Sequence, residues 1–367
     1  MIRQPSQHSK IDQLDAILVT DKSNLFYLTG FRGSKGFLIL TKKNSTFYTD
    51  GRYIEYAKKT IPPFIKTKLN PTKGLELSSL NSSRKTIGFD GKFMTVNELE
   101  KYKKIIRNAS FVNISEDIKQ LRAVKDKTEL LLMRKSQKIT EKIFLSIKKI
   151  IQQNQDQNRK QTSPIREIDL VWKIKSLAFE FGAEDLSFDP IVSFGKNTSM
   201  PHHLPDKTTF KKGDIVMIDM GVKYKGYCSD MTRMIFTKKP TEEQKKIFNI
   251  VKKAQEASFK KAKHGVTAQE LDSAARDFIK EEGYGEFFQH GTGHGIGIDI
   301  HEFPSLSAQP SGSNQTKANT QNKIEAGTVI TIEPGIYLPG KFGIRLENMV
   351  LIKKTGAESI TKISNSL

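Results

Sequence analysis

Two acidic residues stand at the ends of neighbouring apolar segments in the C-terminal half of the sequence. In IVMIDMGVKYKGYCSDMTRMIF, Asp219 lies near the end of one segment and Asp230 near the start of the next. A hairpin turning at Tyr224 and Lys225 would set the two carboxylates opposite each other, with Cβ atoms about 4.5–5.5 Å apart. Ionised carboxylates at that distance repel unless a cation lies between them, so the pair predicts a metal site.

A second acidic pair follows in TIEPGIYLPGKFGIRLEN, where Glu333 and Glu347 lie symmetrically about Gly340 in a Pro-Gly turn. The stretch HGTGHGIGIDIHE separates the two pairs, and its glycines allow the backbone to pass close to a site. One histidine of this stretch could complete a ligand shell, the candidates being His290, His294 and His301. Carboxylates with an imidazole suit Mn²⁺, Co²⁺, Zn²⁺ or Fe²⁺, and four negative charges indicate two ions.

Each of these residues has an ordinary structural explanation when taken alone. An aspartate at a strand end is commonly a turn former, and a glutamate before Pro-Gly is commonly a surface residue. Here the four acids stand beside Ile, Val and Met in strand-like segments, where an unpaired buried carboxylate costs several kcal/mol. Taken together, the acids favour the metal site.

The elements that must position these residues fall into two domains. Segments DAILVT, GFLILT and STFYTD read as short strands separated by turns, and the helical stretch VNELEKYKKII follows them. This alternation predicts an α/β domain over residues 1–122. Asp126, followed three residues later by Glu129, then predicts the capped start of a helix and of a second domain over residues 123–367.

The second domain alternates helices with the strands that carry the acids. A polar run at 152–163 predicts a loop before a helix around Trp172. Capping pairs open two later helices, and a glycine closes the second of these: Thr241 with Gln244, Thr267 with Glu270, and Gly283. The strands IVMID, MTRMIF, TVITIE and IRLENMVLI complete an α+β architecture in which helices cover an antiparallel sheet.

Composition narrows the possible classes of protein. The 367 residues, 37% hydrophobic and 27% charged, are typical of a soluble protein of two domains. We expect no membrane segment and no secretion signal, because long apolar runs are absent from the sequence. The single cysteine, Cys228, cannot form an internal disulfide and predicts a cytoplasmic protein. The net charge of +20 is spread over scattered lysines without a nucleic-acid-binding motif, so we expect no nucleic-acid partner.

At this point the sequence resembles the creatinase, prolidase and methionine aminopeptidase superfamily, peptidase family M24, whose members have the pita-bread fold. The motifs IDMG, SDMTR, GTGHGIG, TIEPG and IRLEN carry the likeness. The resemblance implies two divalent ions with a water between them as nucleophile. The expected metal is Mn²⁺, with Co²⁺ or Zn²⁺ as alternatives. It assigns Asp219 to one ion, His294 and Glu333 to the other, and Asp230 and Glu347 as bridges.

The resemblance also implies residues that contact the substrate. SFDPIVSFGKNTSMPHH resembles the family segment that carries a substrate histidine, which matches His202, with the adjacent His203 as the less favoured alternative. We therefore expect replacement of His203 to have a mild effect. His301 matches a second substrate histidine, His290 lines the same pocket, and Arg345 matches a position that orients carboxylates or substrate. The catalytic roles fall to His202, His301 and Glu333.

The N-terminal half extends the likeness, because SNLFYLTGFRGSKGFLIL and FYTDGRYIEYA resemble the creatinase-type N-terminal domain. That domain is typical of aminopeptidase P and prolidase, which cleave before a proline in second position, and it implies a homodimer whose N-terminal domain borders the partner's active site. A loop lengthened at 307–323 departs from the family pattern. Two alternatives stay open: another substrate, as in methionine aminopeptidase or creatinase, and a non-catalytic module that binds peptide, histone or nucleic acid.

Overall fold

The computed structural model describes residues 10–70, 84–154, 164–307 and 323–365. The chain divides into two compact units, residues 1–122 and 123–367. The predicted loop at 152–163 and the lengthened loop at 307–323 fall largely outside the described residues. No helix in the described ranges combines the length and the apolar character that crossing a membrane requires.

The N-terminal unit is built on one mixed sheet with the strand order β4-β3-β2-β1-β5-β6. Its strands are β1 (Ala16–Val19), β2 (Phe37–Thr41), β3 (Ser45–Thr49), β4 (Ile65–Leu69), β5 (Lys85–Phe89) and β6 (Ala109–Asn113). Its helices are α1 (Lys22–Thr29), α2 (Ile54–Thr60), α3 (Val96–Ile105) and α4 (Ser115–Ala123). Successive residues of β1 alternate between two apolar clusters, with Leu18 in one and Val19 in the other. The sheet is therefore covered on both faces.

The C-terminal unit contains two pairs of helices: α5 (Lys127–Asn154), α6 (Glu167–Glu180), α7 (Glu242–Lys261) and α8 (Ala268–Glu281). The predicted cap of α5 is confirmed, since the Asp126 N–H donates to Glu129 Oε2 and the Glu129 N–H to Asp126 Oδ1, both at 2.8 Å. Capping boxes also open α7 at Thr241 and α8 at Thr267, as predicted. These helix starts are thus encoded locally.

Strands of the C-terminal unit form four small sheets in the described part of the chain, ordered β11-β10-β7, β12-β9-β8, β14-β13-β15-β18-β19 and β16-β17. Their bounds are β7 (Asp185–Leu186), β8 (Ile191–Phe194), β9 (Ile215–Met220), β10 (Val222–Tyr224), β11 (Tyr227–Cys228), β12 (Met231–Phe236), β13 (Gly293–Gly295), β14 (Glu302–Leu306), β15 (Val329–Ile332), β16 (Gly335–Leu338), β17 (Phe342–Arg345), β18 (Asn348–Ile352) and β19 (Ala357–Ser359).

Strand β9 lies between the two helix pairs. Val216 and Ile218 belong to the apolar cluster of α5 and α6, whereas Ile215 and Met217 belong to the cluster of α7 and α8. A strand with both faces buried is rigidly held, because side chains pack against it from each side. Asp219, near the end of this strand, therefore projects from a fixed backbone.

The first acidic hairpin differs from the prediction by one residue. Its turn lies at Lys225 and Gly226, both with positive φ, and Tyr224 pairs with Tyr227. Asp219 consequently lies opposite Thr232 rather than opposite Asp230. Asp230 precedes Thr232 by two residues, which makes it a diagonal neighbour of Asp219, and diagonal neighbours on one face still interact.

The second acidic hairpin has the predicted register. Ile332 pairs with Asn348 in the β15–β18 ladder, and Gly335 pairs with Arg345 in the β16–β17 ladder, so both ladders are symmetric about Gly340. The predicted strand IRLENMVLI is divided, however, because β17 ends at Arg345 and β18 begins at Asn348. Glu347 lies in this gap, and Glu333 lies in the matching gap between β15 and β16.

Candidate metal centre

The predicted acids converge in the C-terminal unit. Ligand atoms of Asp230, His294 and Glu347 all lie within 4.8 Å of one another. His294 Nε2 is 3.4 Å from Glu333 Oε1 and 3.6 Å from Asp230 Oδ2. Asp219 joins the group electrostatically, because its charge raises the pKa of neighbouring carboxyls. The structure thus brings together all the residues that the resemblance assigned to metal.

His294 presents one ring nitrogen to the acids. Its backbone N–H donates to Thr331 Oγ1 at 3.0 Å, and its Nδ1 lies 3.1 Å from the carbonyl oxygen of Gly295. A protonated Nδ1 donating to this carbonyl leaves Nε2 with its lone pair directed at the carboxylates. Hydrogen bonding of the second nitrogen in this way is what fixes a metal-binding imidazole.

Three carboxylate oxygens in the cluster are buried and, among the described residues, have no hydrogen-bond partner: Asp219 Oδ1, Asp230 Oδ1 and Glu347 Oε1. The three residues are themselves 8%, 4% and 1% exposed. A buried acceptor without a donor is costly, and a cation would satisfy all three at once. The donor set, oxygen-rich with one imidazole, fits a divalent ion of the Mn²⁺, Co²⁺ or Zn²⁺ type.

The electrostatics of the buried acids also favour a bound cation. Burial, followed by repulsion from Glu347 and Asp219, raises the pKa of Asp230 well above its usual value. Burial, with repulsion from Glu333 and Asp219, does the same to the pKa of Glu347. Crowded carboxyls in this condition hold protons that a metal ion would displace.

Arg345 connects the acids to His290. Its Nη2 donates to Asp219 Oδ2 at 2.6 Å, and its Nη1 donates to the hydroxyl of Tyr337 at 2.8 Å. Tyr337 OH in turn lies 2.8 Å from His290 Nε2, and His290 Nδ1 lies 2.8 Å from the carbonyl of Gly291. Burial and the nearby Arg345 charge lower the pKa of His290 to about 3, so the ring is neutral and accepts from Tyr337. The resemblance placed His290 and Arg345 at the substrate pocket; these bonds connect both residues to Asp219 of the acidic cluster.

The two adjacent histidines have different surroundings. His203 is buried, and its Nε2 lies 2.6 Å from Glu167 Oε2. His202 is exposed. Burial is the main cause of the raised pKa of Glu333 and of the lowered pKa of His290, and a smaller interaction of both groups with His202 places His202 within electrostatic range of the acids. The carbonyl of Pro201 accepts from Arg345 Nη1 at 3.1 Å and holds this loop against the centre.

The ring of His301 packs edge-to-face against that of His294. The ring centroids of His294 and His301 are 4.4 Å apart with an interplanar angle of 72°. The next residue, Glu302, accepts from the N–H of Ile298 at 2.9 Å and forms a buried ion pair with Lys125 at 3.1 Å. These bonds fix the turn that presents His301 at the edge of the cluster.

Sequence reasoning missed several polar residues that support the acids. Thr232 Oγ1 donates to Glu347 Oε2 at 2.9 Å, and Thr331 Oγ1 donates to Glu333 Oε1 at 3.2 Å. Each threonine lies two residues from a predicted acid, so the period-two alternation of strands was an available signal. Tyr337 and Glu167 were also missed, and Glu167 had no signal because it lies on a helix remote in sequence.

Comparison with known proteins finds matches to both domains of the chain. Residues 131–354 match metallopeptidase family M24, and residues 7–124 match the creatinase/prolidase N-terminal domain. A putative Xaa-Pro aminopeptidase of Mycoplasma pneumoniae is 36% identical over 345 residues, covering 93% of this chain and 91% of the relative. The Xaa-Pro dipeptidase of Pyrococcus furiosus is 33% identical over 359 residues, covering 97% and 96%.

A solved structure gives the same likeness. The Xaa-Pro dipeptidase from Bacillus anthracis superposes with a TM-score of 0.86 at 32% identity, covering 97% of this chain and 95% of that chain. Together with the matched domains, this confirms the fold expected from the sequence, a pita-bread domain preceded by a creatinase-type domain. The chain therefore belongs to metallopeptidase family M24 and carries a creatinase/prolidase N-terminal domain.

Proposed function

We propose that this enzyme hydrolyses the bond before proline at the N-terminus of a peptide and requires divalent metal ions. The observation that carries the proposal is the buried cluster in which three carboxylate oxygens lack hydrogen-bond donors within the described part of the chain. The relatives named above as Xaa-Pro dipeptidase and aminopeptidase support the proline preference. An Xaa-Pro bond lacks an N–H and has a restricted backbone, so its cleavage needs a dedicated pocket.

Five side chains would hold the metal: Asp219, Asp230, His294, Glu333 and Glu347. When bound, divalent ions make water acidic enough to act as a nucleophile near neutral pH and stabilise negative charge on the substrate oxygen. Glu333 would accept a proton from the attacking water and pass it on. His202 and His301 would donate hydrogen bonds to the substrate carbonyl as its charge develops. His290 and Arg345 would shape the pocket that binds the substrate.

The finer details of the proposal concern the ions, the assembly and the compartment. The four acidic ligands carry four negative charges, which two divalent ions would neutralise. A shell rich in oxygen ligands favours Mn²⁺, with Co²⁺ or Zn²⁺ as substitutes. The creatinase-type N-terminal domain supports a homodimer. The single cysteine, which is buried, is consistent with the reducing cytoplasm.

The proposal is tested by combining metal analysis with peptide kinetics. We expect about two ions per chain, loss of hydrolysis in a chelator, and recovery with Mn²⁺ or Co²⁺. Xaa-Pro dipeptides and longer Xaa-Pro peptides should be cleaved much faster than peptides that begin with methionine. Full activity in a chelator, or a preference for methionine peptides, would show that the proposal is wrong.

A further inference from the structure

Glu167 is a completely buried carboxylate at the first residue of α6, and it receives hydrogen bonds from four separate groups. Its Oε1 accepts from the Phe194 N–H at 2.7 Å and from Asn197 Nδ2 at 3.0 Å. Its Oε2 accepts from His203 Nε2 at 2.6 Å and from the Asp206 N–H at 3.2 Å. One side chain therefore ties together both ends of the segment 194–206.

This segment carries His202, the histidine assigned above to the substrate. Pro201, the residue before it, is anchored to the acidic cluster, since Arg345 Nη1 donates to the carbonyl of Pro201. The residue after it is held from the helix side, since His203 donates to Glu167. His202 is thus bracketed by two anchored neighbours, while its own side chain stays exposed within range of Glu333.

A third metal ion is the competing explanation, because Glu167, His203 and Asp206 offer ligand atoms within 4.8 Å of one another. The bonds of these atoms argue against it. Both oxygens of Glu167 are occupied by donors, and Asp206 Oδ1 accepts from the Thr208 N–H at 2.6 Å. In the acidic cluster, by contrast, Asp219, Asp230 and Glu347 each have one buried oxygen without a hydrogen-bond partner among the described residues.

We propose that Glu167, acting through His203, is a positioning residue that sets the location of His202 for catalysis. The proposal rests on the proposed function, because it assumes that His202 contacts the substrate. A carboxylate oxygen accepts hydrogen bonds, so His203 Nε2 is the donor in the 2.6 Å bond to Glu167 Oε2. Loss of this bond would let the loop shift, and a misplacement of about 1 Å can reduce a rate by about 10².

A double-mutant cycle on the metal-loaded enzyme tests the proposal. Glu167→Gln should lower kcat for an Xaa-Pro peptide by about 10- to 100-fold, with KM and metal content within about twofold of wild type. In the His202→Ala background the same change should lower kcat by less than about threefold, because the residue that Glu167 positions is already gone. Equal losses in both backgrounds, or a lower Tm with unchanged kcat, would overturn the proposal.

A second pair of variants covers the case in which Glu167→Gln does not fold. His203→Gln retains an N–H near the position of Nε2 and should keep kcat close to wild type, whereas His203→Leu should lose about as much as Glu167→Gln. Rescue by the conservative variant separates a specific hydrogen bond from general packing. Equal activity of the two variants would contradict the proposal.

Asp206→Asn is the matched control, because asparagine keeps the oxygen that accepts from Thr208 and leaves the backbone N–H in place. It should change neither kcat nor metal content. A loss of one bound ion per chain in this variant would identify the trio as a metal site and overturn the positioning role. A wild-type enzyme inactive on Xaa-Pro peptides would instead contradict the proposed function, and the two failures are thus distinct.

Discussion

At the scale of the residue, His294 differs from its neighbouring histidines in having its Nε2 directed at two acids. His294→Ala should therefore lower metal affinity and activity together, because the proposed ligand set would lose its imidazole. Metal content after dialysis and kcat/KM on an Xaa-Pro peptide measure the two effects. Unchanged metal content in this variant would remove His294 from the ligand set.

His202 and His301 provide the contrasting case. His202→Ala and His301→Ala should retain the metal while kcat/KM falls by about 10² or more, as when one donor to a developing oxyanion is lost. The same dialysis and kinetic measurements apply to both variants. Near-normal kinetics for His202→Ala beside a severe defect specific to substrate turnover in His203→Gln would transfer the substrate role to His203.

The adjacent histidines also show where sequence reasoning reached its limit. The motif Met-Pro-His-His favoured His202 for the substrate and predicted a mild effect of replacing His203. Because His203 is buried against Glu167, we now expect its removal to destabilise the fold as well as the loop. The partner of His203 lies 36 residues earlier on a helix, a contact that no local pattern announces.

At the scale of the element, turn chemistry decided which predictions of register were correct. Symmetry about Gly340 gave the second acidic hairpin its true register, because the Pro-Gly turn marks its tip. In the first hairpin, the two-residue loop is Lys225-Gly226, with φ values of 47° and 86°. Two-residue loops of this kind prefer glycine at the second position. Gly226 therefore indicated the correct loop, and the prediction of a turn at Tyr224 and Lys225 did not use it.

Strand division at Glu347 was not predictable from the sequence. Every residue of IRLENMVLI is compatible with a continuous strand, yet the Leu346 N–H donates to the carbonyl of Pro334 and the Glu347 N–H to that of Thr232. The backbone thus changes partners between sheets, and only the assembled fold determines this change. The caps of α5, α7 and α8, by contrast, were predicted correctly, because each is formed by residues only three positions apart in the sequence.

Glu358 on β19 links the sheet edge to α5. Its carboxylate lies 2.7 Å from Arg134 Nη1 and 2.7 Å from Lys353 Nζ, and these hydrogen bonds lower the pKa of Glu358 to about 2. Since the pKa of an unfolded glutamate is about 4.3, the stabilisation is present above that pH and is lost as pH falls towards 2.

Glu358→Gln should therefore lower the free energy of unfolding at pH 7 by about 1–2 kcal/mol, a value reduced for the partial exposure of the pair. The difference from wild type should shrink as the pH is lowered from 5 to 2.5. Urea unfolding at several pH values measures it, and Glu256→Gln, which alters an exposed glutamate of α7, serves as the control. A difference that does not vary with pH would contradict the assignment.

At the scale of the whole molecule, metal binding should contribute to the stability of the C-terminal unit. Burial and then mutual repulsion raise the pKa of Asp230 and Glu347. A metal ion that binds these acids only in the folded state would stabilise that state. At a concentration of 100 times Kd, a single ion adds about 2.7 kcal/mol, which corresponds to roughly 5–10 °C in Tm for a unit of this size.

Calorimetry with Mn²⁺ and with a chelator measures this shift, and His294→Ala protein should show a smaller one. The transition of the N-terminal unit is the internal reference, because none of the proposed ligands lies within residues 1–122. An identical Tm in chelator and in Mn²⁺ would show that the acidic cluster does not bind the ion.

In the second acidic hairpin, the turn lies apart from the two acids, Glu333 and Glu347. The turn residues Pro339, Gly340 and Lys341 are exposed, whereas the pairs on either side of Glu333 and Glu347 are held by two ladders in one register. Four residue pairs of β16 and β17 therefore separate the acids from the turn, so that a change at the turn need not move them. Protein engineers can use this tip as an attachment point, where an inserted epitope or a fluorophore would report on the enzyme without altering the spacing of its acids.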